Sequence, residues 1–384
     1  MGAPEEIFDV AIVGTGPAGA TFARLLSPKL RVVAFDKKCA TDPLARGFRK
    51  PCGGLLAEDA QRALSRQGLA LPKEVLANPQ LFSVRTIDLA RNIERTYRRF
   101  YVNMDRHRFD LWLKSLIPPS VEIHNATTAR KISRNKSGLW VIRFFEERRE
   151  KIVVARTLVG ADGAASVVRK FLFPKHKIRC YTAIQQWFVD KQPEPIYACF
   201  FDERLTDCYG WAVSKDGELL FGAAFPHGGT GGAYENLRRR AEKFGFVLDA
   251  PLRSEACMVL RPEKMGDFKI GTVAGAFLIG EAAGFISPSS LEGISYALDS
   301  AEMLADAFNE NFPRLGGGDN GGGQGFVEKI FEAYRRRARK ICRKLLLKTL
   351  KNPFMYNPTL REIVMKSGIS ALRLRPRDKH SREI

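Results

Sequence analysis

The chain has 384 residues, 45% of them hydrophobic, and a formal net charge of +20. That length and apolar content suit two to three domains of roughly 150 residues each with a sizeable core, and they exclude a disordered chain or a single small module. The charge is concentrated: from Arg335 onward there are 16 Lys and Arg against 3 Asp and Glu, so it describes one segment and does not argue for nucleic acid as partner of the whole chain.

The run Phe8 to Val13 reads as a strand, Pro17 to Leu26 as a helix and Arg31 to Phe35 as a second strand, a βαβ opening. Glu5 and Glu6 precede it, unlike the charged and apolar regions of a secretory signal. Leu44 to Gly54 is broken by Gly and Pro and reads as a loop, followed by a helix over Ala57 to Gln67. Ser83 to Leu89 and Leu139 to Phe145 read as strands, and the aromatic and β-branched runs between Arg179 and Val259 predict a second, antiparallel sheet. Gly316 to Gly325 holds seven glycines in ten residues, a linker composition, and a helical segment follows. No apolar run reaches the ~18 residues of a membrane span. The seven cysteines, at positions 39, 52, 180, 199, 208, 257 and 342, contain no C-x-x-C pair. They fit neither a disulfide framework nor a zinc site, and the five histidines make no spaced cluster, so the expectation is a reducing, cytoplasmic setting and no metal.

Three separated motifs carry the chemistry. The first is GTGPAG, with Gly14, Gly16, Pro17, Ala18 and Gly19 between strand and helix, and Asp36 and Lys37 closing the second strand. Such glycines allow a tight turn and close backbone approach to a pyrophosphate on the helix N-terminus, and the acid accepts from a ribose hydroxyl. The second motif is Gly160, Ala161, Asp162 and Gly163, with Ser166 and Arg169 beyond; Arg169 is a candidate anion contact, and a capped strand-to-helix turn is the plain alternative. The third is LIGEAAG, Leu278 to Gly284, containing Gly280 and Glu281, followed by Pro288, Glu292, Gly293 and Ile294 at the start of a helix. Glu281 can bond a sugar-like chain, and the helix can aim its positive end at a ring carbonyl.

In this order and spacing the motifs resemble those of the p-hydroxybenzoate hydroxylase superfamily of flavoproteins, with Glu281 where that family has Asp. Arg106, Phe109 and Asp110 are similar to the family's helix that braces the flavin. KPCGG, Lys50 to Gly54, resembles the PCGG loop of geranylgeranyl reductases. Tyr209, Trp211, Lys215, Gly217 and Gly222 are similar to their Y-x-W-x-F-P motif, with Val213 and Ser214 at the Phe-Pro positions.

The resemblance implies an α/β fold with FAD as cofactor: a Rossmann-like FAD-binding domain built from the non-contiguous segments 1–80, 103–178 and 268–312, and an antiparallel-sheet substrate domain, a second α+β layer, from 81–102 and 179–267. A Gly-rich linker, 313–325, and a basic helical tail, 326–384, complete the expectation. It further implies that Cys52, Gly53 and Gly54 lie beside the flavin with Arg106, that Asp162, Gly163, Gly280, Glu281, Gly293 and Ile294 contact the cofactor, and that Cys52, Tyr209 and Trp211 form the catalytic pocket. The implied reaction is reduction of a carbon–carbon double bond in an isoprenoid or polyprenyl lipid by hydride from reduced flavin, with electrons from NAD(P)H or an external carrier. Cys52 is either a proton donor or a pocket residue. Two other readings stand beside it: an NAD(P)H-dependent flavin monooxygenase, and a non-catalytic flavin-containing lipid-binding or tolerance factor.

From Phe331 to Leu350 apolar residues recur at helical spacing among Arg and Lys, a basic amphipathic helix. Its apolar side either docks on the protein or lies on an anionic membrane, which here would be the inner face of the cell membrane.

Overall fold

The computed structural model describes residues 7–38, 50–146, 149–226, 228, 230–311 and 323–372. In chain order these form β1 (Ile7–Val13), α1 (Pro17–Leu25), β2 (Val32–Phe35), β3 (Leu55–Leu56), α2 (Glu58–Arg66), β4 (Ser83–Asp88), β5 (Ile93–Arg98), β6 (Val102–Asn103) and α3 (Arg106–Ser115). Then come β7 (Val121–His124), β8 (Ala129–Arg134), β9 (Trp140–Glu146), β10 (Arg149–Gly160), α4 (Val167–Leu172), β11 (Cys180–Val189), β12 (Tyr197–Phe201), β13 (Gly210–Lys215), β14 (Glu218–Pro226) and α5 (Thr230–Glu242). The chain continues through β15 (Arg253–Leu260), β16 (Gly271–Thr272), β17 (Ala276–Leu278), α6 (Ile294–Asn311), α7 (Gly323–Thr349), α8 (Asn352–Tyr356) and α9 (Pro358–Ser367).

The first sheet runs β16-β17-β10-β1-β2-β7, with β8 and β9 attached through β10. Its central strands β17, β10, β1, β2 and β7 are parallel. Parallel strands need both faces covered, so β1 and β2 read as nearly continuous apolar runs, and Val10, Ala11, Ile12, Val33 and Ala34 have no solvent exposure. Helices α1 and α6 pack together on this sheet through Phe22 and Phe308, whose ring centroids are 5.5 Å apart.

The second sheet, β15-β11-β14-β13-β12-β4-β5, is antiparallel except where β12 meets β4. One face, with Phe188, Phe200, Phe221 and Phe225, is buried with Tyr234 and Leu237 of α5. Period-two alternation sends Tyr181, Ala183 and Ala224 to the other face, where they pack with Ile286 and Leu291 from the loop before α6.

The amphipathic helix docks. Phe326, Ile330, Tyr334, Ala338, Ile341 and Leu345 are all buried in the core of the first sheet, and the Tyr334 hydroxyl donates to the Leu278 carbonyl at 2.9 Å. Its helix opens at Gly323, inside the stretch read as linker; most of the remaining Gly-rich run lies outside the described residues. Beyond α7 the chain crosses to the second sheet. Arg361 of α9 donates to Asp88 at 2.8 Å and to Glu203 at 2.8 Å, with Arg361 and Asp88 both buried. Among the described residues no helix is long and apolar enough to cross a membrane.

Candidate active site

The three motifs leave the first sheet at one level. Val13 pairs with Gly160, and Gly160 with Leu278, so GTGPAG, GADG and GEAAG emerge side by side from the C-terminal ends of β1, β10 and β17. That is where doubly wound sheets bind ligands. The turn is glycine-dependent: Gly14 has φ +97°, and a β-carbon on it would stand 2.6 Å from the Ala161 carbonyl oxygen. Around Gly16 there is open space, and no side chain caps the N-terminus of α1. Uncapped amides, the helix dipole and open space at Gly16 fit a dinucleotide pyrophosphate.

Asp36 is buried and already well partnered. Thr15 Oγ1 donates to it, Lys114 Nζ lies 3.0 Å from Oδ2, and the Lys38 amide donates to Oδ1 at 3.1 Å. A ribose hydroxyl would share an oxygen with one of these donors. Lys114 was not anticipated from the sequence, although it stands four residues after Asp110 on the same face of α3.

Asp162 accepts from Ser166 Oγ at 2.5 Å and from the Val167 amide at 2.7 Å, capping α4; burial raises its carboxyl above the ordinary value despite these bonds. Arg169 does not serve as an anion contact. Its guanidinium donates to the carbonyls of Ala164, Glu281 and Ala282, because it is buried between the second and third motifs, where those carbonyls need donors. Glu281 accepts from Lys50 Nζ at 2.7 Å and from the Leu260 amide at 3.0 Å. Gly280 abuts Ala18 of α1, and Glu292 accepts from the amide and hydroxyl of Ser295 at the start of α6.

Arg106 donates to Asp110 at 2.7 Å and lines the same cavity as Cys52. Burial alone would raise the Asp110 carboxyl, but Arg106 and Lys38 hold it down at about 2. Cys52 Sγ accepts from the Gly54 amide at 3.4 Å. The loop that carries it is anchored by Lys215, whose buried ammonium donates to the carbonyls of Gly54 at 3.0 Å and Met104 at 2.9 Å and to the Asn103 side chain. Desolvation pulls Lys215 down to about 8. Its inward direction was legible: Trp211, Val213 and Lys215 are two residues apart on one strand and share a face.

Tyr209 and Trp211 stand on that inner face, their ring centroids 5.8 Å apart and their planes inclined at 62°. The Tyr209 hydroxyl is committed to the Ser290 carbonyl at 2.7 Å, while Trp211 Nε1 has no partner among the described residues. Gly222 makes room for the indole, since a β-carbon there would lie 2.7 Å from the ring. Tyr101, Tyr197 and Cys199 extend the wall, and burial holds the phenols of Tyr197 and Tyr209 well above their ordinary value, hence protonated. A polar cavity beside Cys52 is lined by Lys50, Arg106, Gln185, Trp187, Lys215, Arg253 and Glu255. Tyr101, Tyr197, Gln185 and Trp187 lie outside any motif; only the alternation of their strands or an adjoining strand hints at them.

The class that this fold and this convergence of motifs define is the doubly wound, Rossmann-type protein, with three motif loops meeting at the ligand-binding end of the parallel sheet. The chain matches no protein-family model. It is 48% identical over 365 residues to protein CbrA of Escherichia coli O6:H1, covering 95% of this chain and 94% of that one, and 48% identical over 367 residues to protein CbrA of Shigella flexneri serotype 5b. The chain belongs to the CbrA family. Among solved structures, a geranylgeranyl bacteriochlorophyll reductase-like protein from Thermoplasma acidophilum shares the fold with a TM-score of 0.74 at 17% identity, covering 95% of this chain and 92% of that one. PqsL of Pseudomonas aeruginosa, described as a probable FAD-dependent monooxygenase, shares it with a TM-score of 0.66 at 17% identity over 94% and 100%.

Proposed function

We propose that the protein reduces carbon–carbon double bonds of an isoprenoid or similar lipid, with FAD held across the three motif loops. The observation that carries this reading is the half-buried aromatic wall of Tyr101, Tyr197, Tyr209 and Trp211, which runs up to Gly53 and Cys52 and offers an apolar chain a long contact surface. When bound, FAD supplies two-electron reduction chemistry there. Gly14, Gly16, Pro17, Ala18 and Gly19 receive the pyrophosphate, Asp36 and Lys37 the ribose side, and Asp162, Gly163, Gly280 and Glu281 the middle of the cofactor. Gly293 and Ile294, at the start of α6, would help hold the cofactor. Cys52 and Arg106 close the pocket on the ring side, and the aromatic wall excludes water from the reacting bond.

In this reading the FAD-binding domain comprises 1–80, 103–178 and 268–312 and the substrate domain 81–102 and 179–267. Electrons come from NAD(P)H or an external carrier. The exposed edge formed by Leu347, Leu350 and Phe354 beside Lys344 and Lys351 suits contact with an anionic membrane, where each basic residue contributes roughly 1 kcal/mol.

One observation favours a second reading, a flavin monooxygenase acting on a small polar substrate: the cavity beside Cys52 is lined mostly by charged and amide side chains. The two separate in anaerobic stopped-flow absorbance of FAD-loaded, chemically reduced protein. Reoxidation on mixing with polyprenyl lipid without oxygen supports the reductase. Flavin that stays reduced with lipid, and turns over only when oxygen and a polar substrate are both present, overturns it in favour of the monooxygenase.

A further inference from the structure

Three consecutive carbonyls in the loop between the third motif and α6 are each held by a side chain from a different part of the chain. Arg261, just beyond β15, donates to Pro288 at 3.0 Å; Tyr356 of α8 donates to Ser289; Tyr209, just before β13, donates to Ser290 at 2.7 Å. The next residue, Leu291, has φ +52°, a left-handed conformation that a branched side chain adopts only where its surroundings hold it. The loop then delivers Glu292, Gly293 and the N-terminus of α6.

Tyr356 is itself firmly set. Its ring lies 6.0 Å from Phe201, which stacks on Tyr209 at 6.1 Å, and the Arg261 guanidinium sits 4.7 Å from its centroid. Arg361 donates to the Met355 carbonyl at 3.1 Å while its other nitrogens grip Asp88 and Glu203, so α8 is pinned from the far side. The C-terminal helices thus run from the first sheet with α7, past the loop that leads into α6 with α8, and onto the second sheet with α9.

We propose that Tyr356 is a positioning residue for this loop, which makes the C-terminal strap a working part of the site. The inference rests on the FAD reading above. The hydroxyl fixes the Ser289 carbonyl; with Arg261 and Tyr209 on either side it holds Leu291 in its strained conformation and sets where Gly293 and Ile294 meet the cofactor.

The test is Tyr356→Phe, which keeps the ring against Arg261 and Phe201 and removes only the donor. Tyr234→Phe is the control, since that hydroxyl donates to the Phe221 carbonyl in the α5 layer, on the other face of the second sheet. FAD affinity is measured for oxidised and reduced flavin, together with the flavin absorption spectrum and the unfolding midpoint of the FAD-free protein. The expected result for Tyr356→Phe is FAD binding weakened about 3- to 10-fold, unequally for the two redox states, with a displaced flavin spectrum and no comparable change in Tyr234→Phe. Wild-type affinities and spectrum in Tyr356→Phe overturn the inference, as does an equal change in Tyr234→Phe. A wild-type protein that takes up no FAD overturns the underlying reading and this one with it.

Discussion

A β-carbon on Gly19 would stand 1.9 Å from the carbonyl oxygen of Gly14. The first turn of α1 therefore lies directly on the strand-to-helix turn, and this closeness aims the helix N-terminus at the crevice. Gly19→Ala is expected to push α1 off β1, destabilising the protein by about 3 kcal/mol or more and abolishing FAD uptake. Denaturant unfolding and flavin fluorescence titration measure both; a variant with wild-type stability and affinity would show that the helix can shift freely.

Asp110 gives a prediction in acid. Its carboxyl lies at about 2 when folded against an ordinary 3.8, so its contribution is fully present above 3.8 and is lost as pH falls through about 2. The stake is about 2 kcal/mol. Wild-type stability should drop between pH 4 and 2 more steeply than that of Asp110→Asn, which should start lower because Arg106 and Lys38 lose their counter-charge. Parallel slopes in urea titrations across that range would contradict the assignment.

Lys215 predicts a change at the other end of the scale. Its folded value of about 8 lies below the ordinary 10.5. The unfolded chain therefore binds the extra proton between the two values, and stability from this group rises as pH goes from 8 to 10.5. The gain is about 3 kcal/mol, and it is lost again as pH falls through 8. Lys215→Met should remove that rise, and by taking the ammonium away from the Met104 carbonyl and leaving the Gly54 carbonyl only the Met104 amide it should loosen the Cys52 loop. The difference between wild type and variant, followed from pH 7.5 to 10.5, checks the sign.

Arg361 and Asp88 form an ion pair in which both partners are buried. Removing Arg361 leaves the buried Asp88 carboxylate with the Ala90 and Arg91 amides at 3.0 Å and the Arg91 guanidinium at 3.8 Å but without its closest counter-charge, at a cost of about 3 kcal/mol. Arg361→Met should therefore release α9, and limited proteolysis should clip the chain after α7 while the remaining core stays intact. Resistance equal to wild type would mean that the other contacts of α9 suffice.

Replacing the thiol tests the pocket chemistry proposed for Cys52. Cys52→Ala is expected to retain FAD and, if the thiol only shapes the pocket, to keep the rate of substrate-driven flavin reoxidation within about threefold. A loss of 100-fold or more would assign it the proton transfer, consistent with the usual size of general acid contributions.

The sequence by itself determined the fold class and the three glycine turns and their order, because these depend on local backbone freedom and on side-chain period. Tertiary packing decided how the charged groups are spent. Arg169 looked like an anion contact and became a brace for buried carbonyls, Asp36 acquired Lys114, and Glu281 acquired Lys50, since a buried charge takes whatever partner the packing of distant segments brings within reach. The basic helix showed two faces in sequence, and only the apolar groove along the first core decided that one of them docks. Tyr356 had no signal at all: its role comes from α8 meeting the loop before α6, a relationship between residues 67 apart that no local pattern encodes.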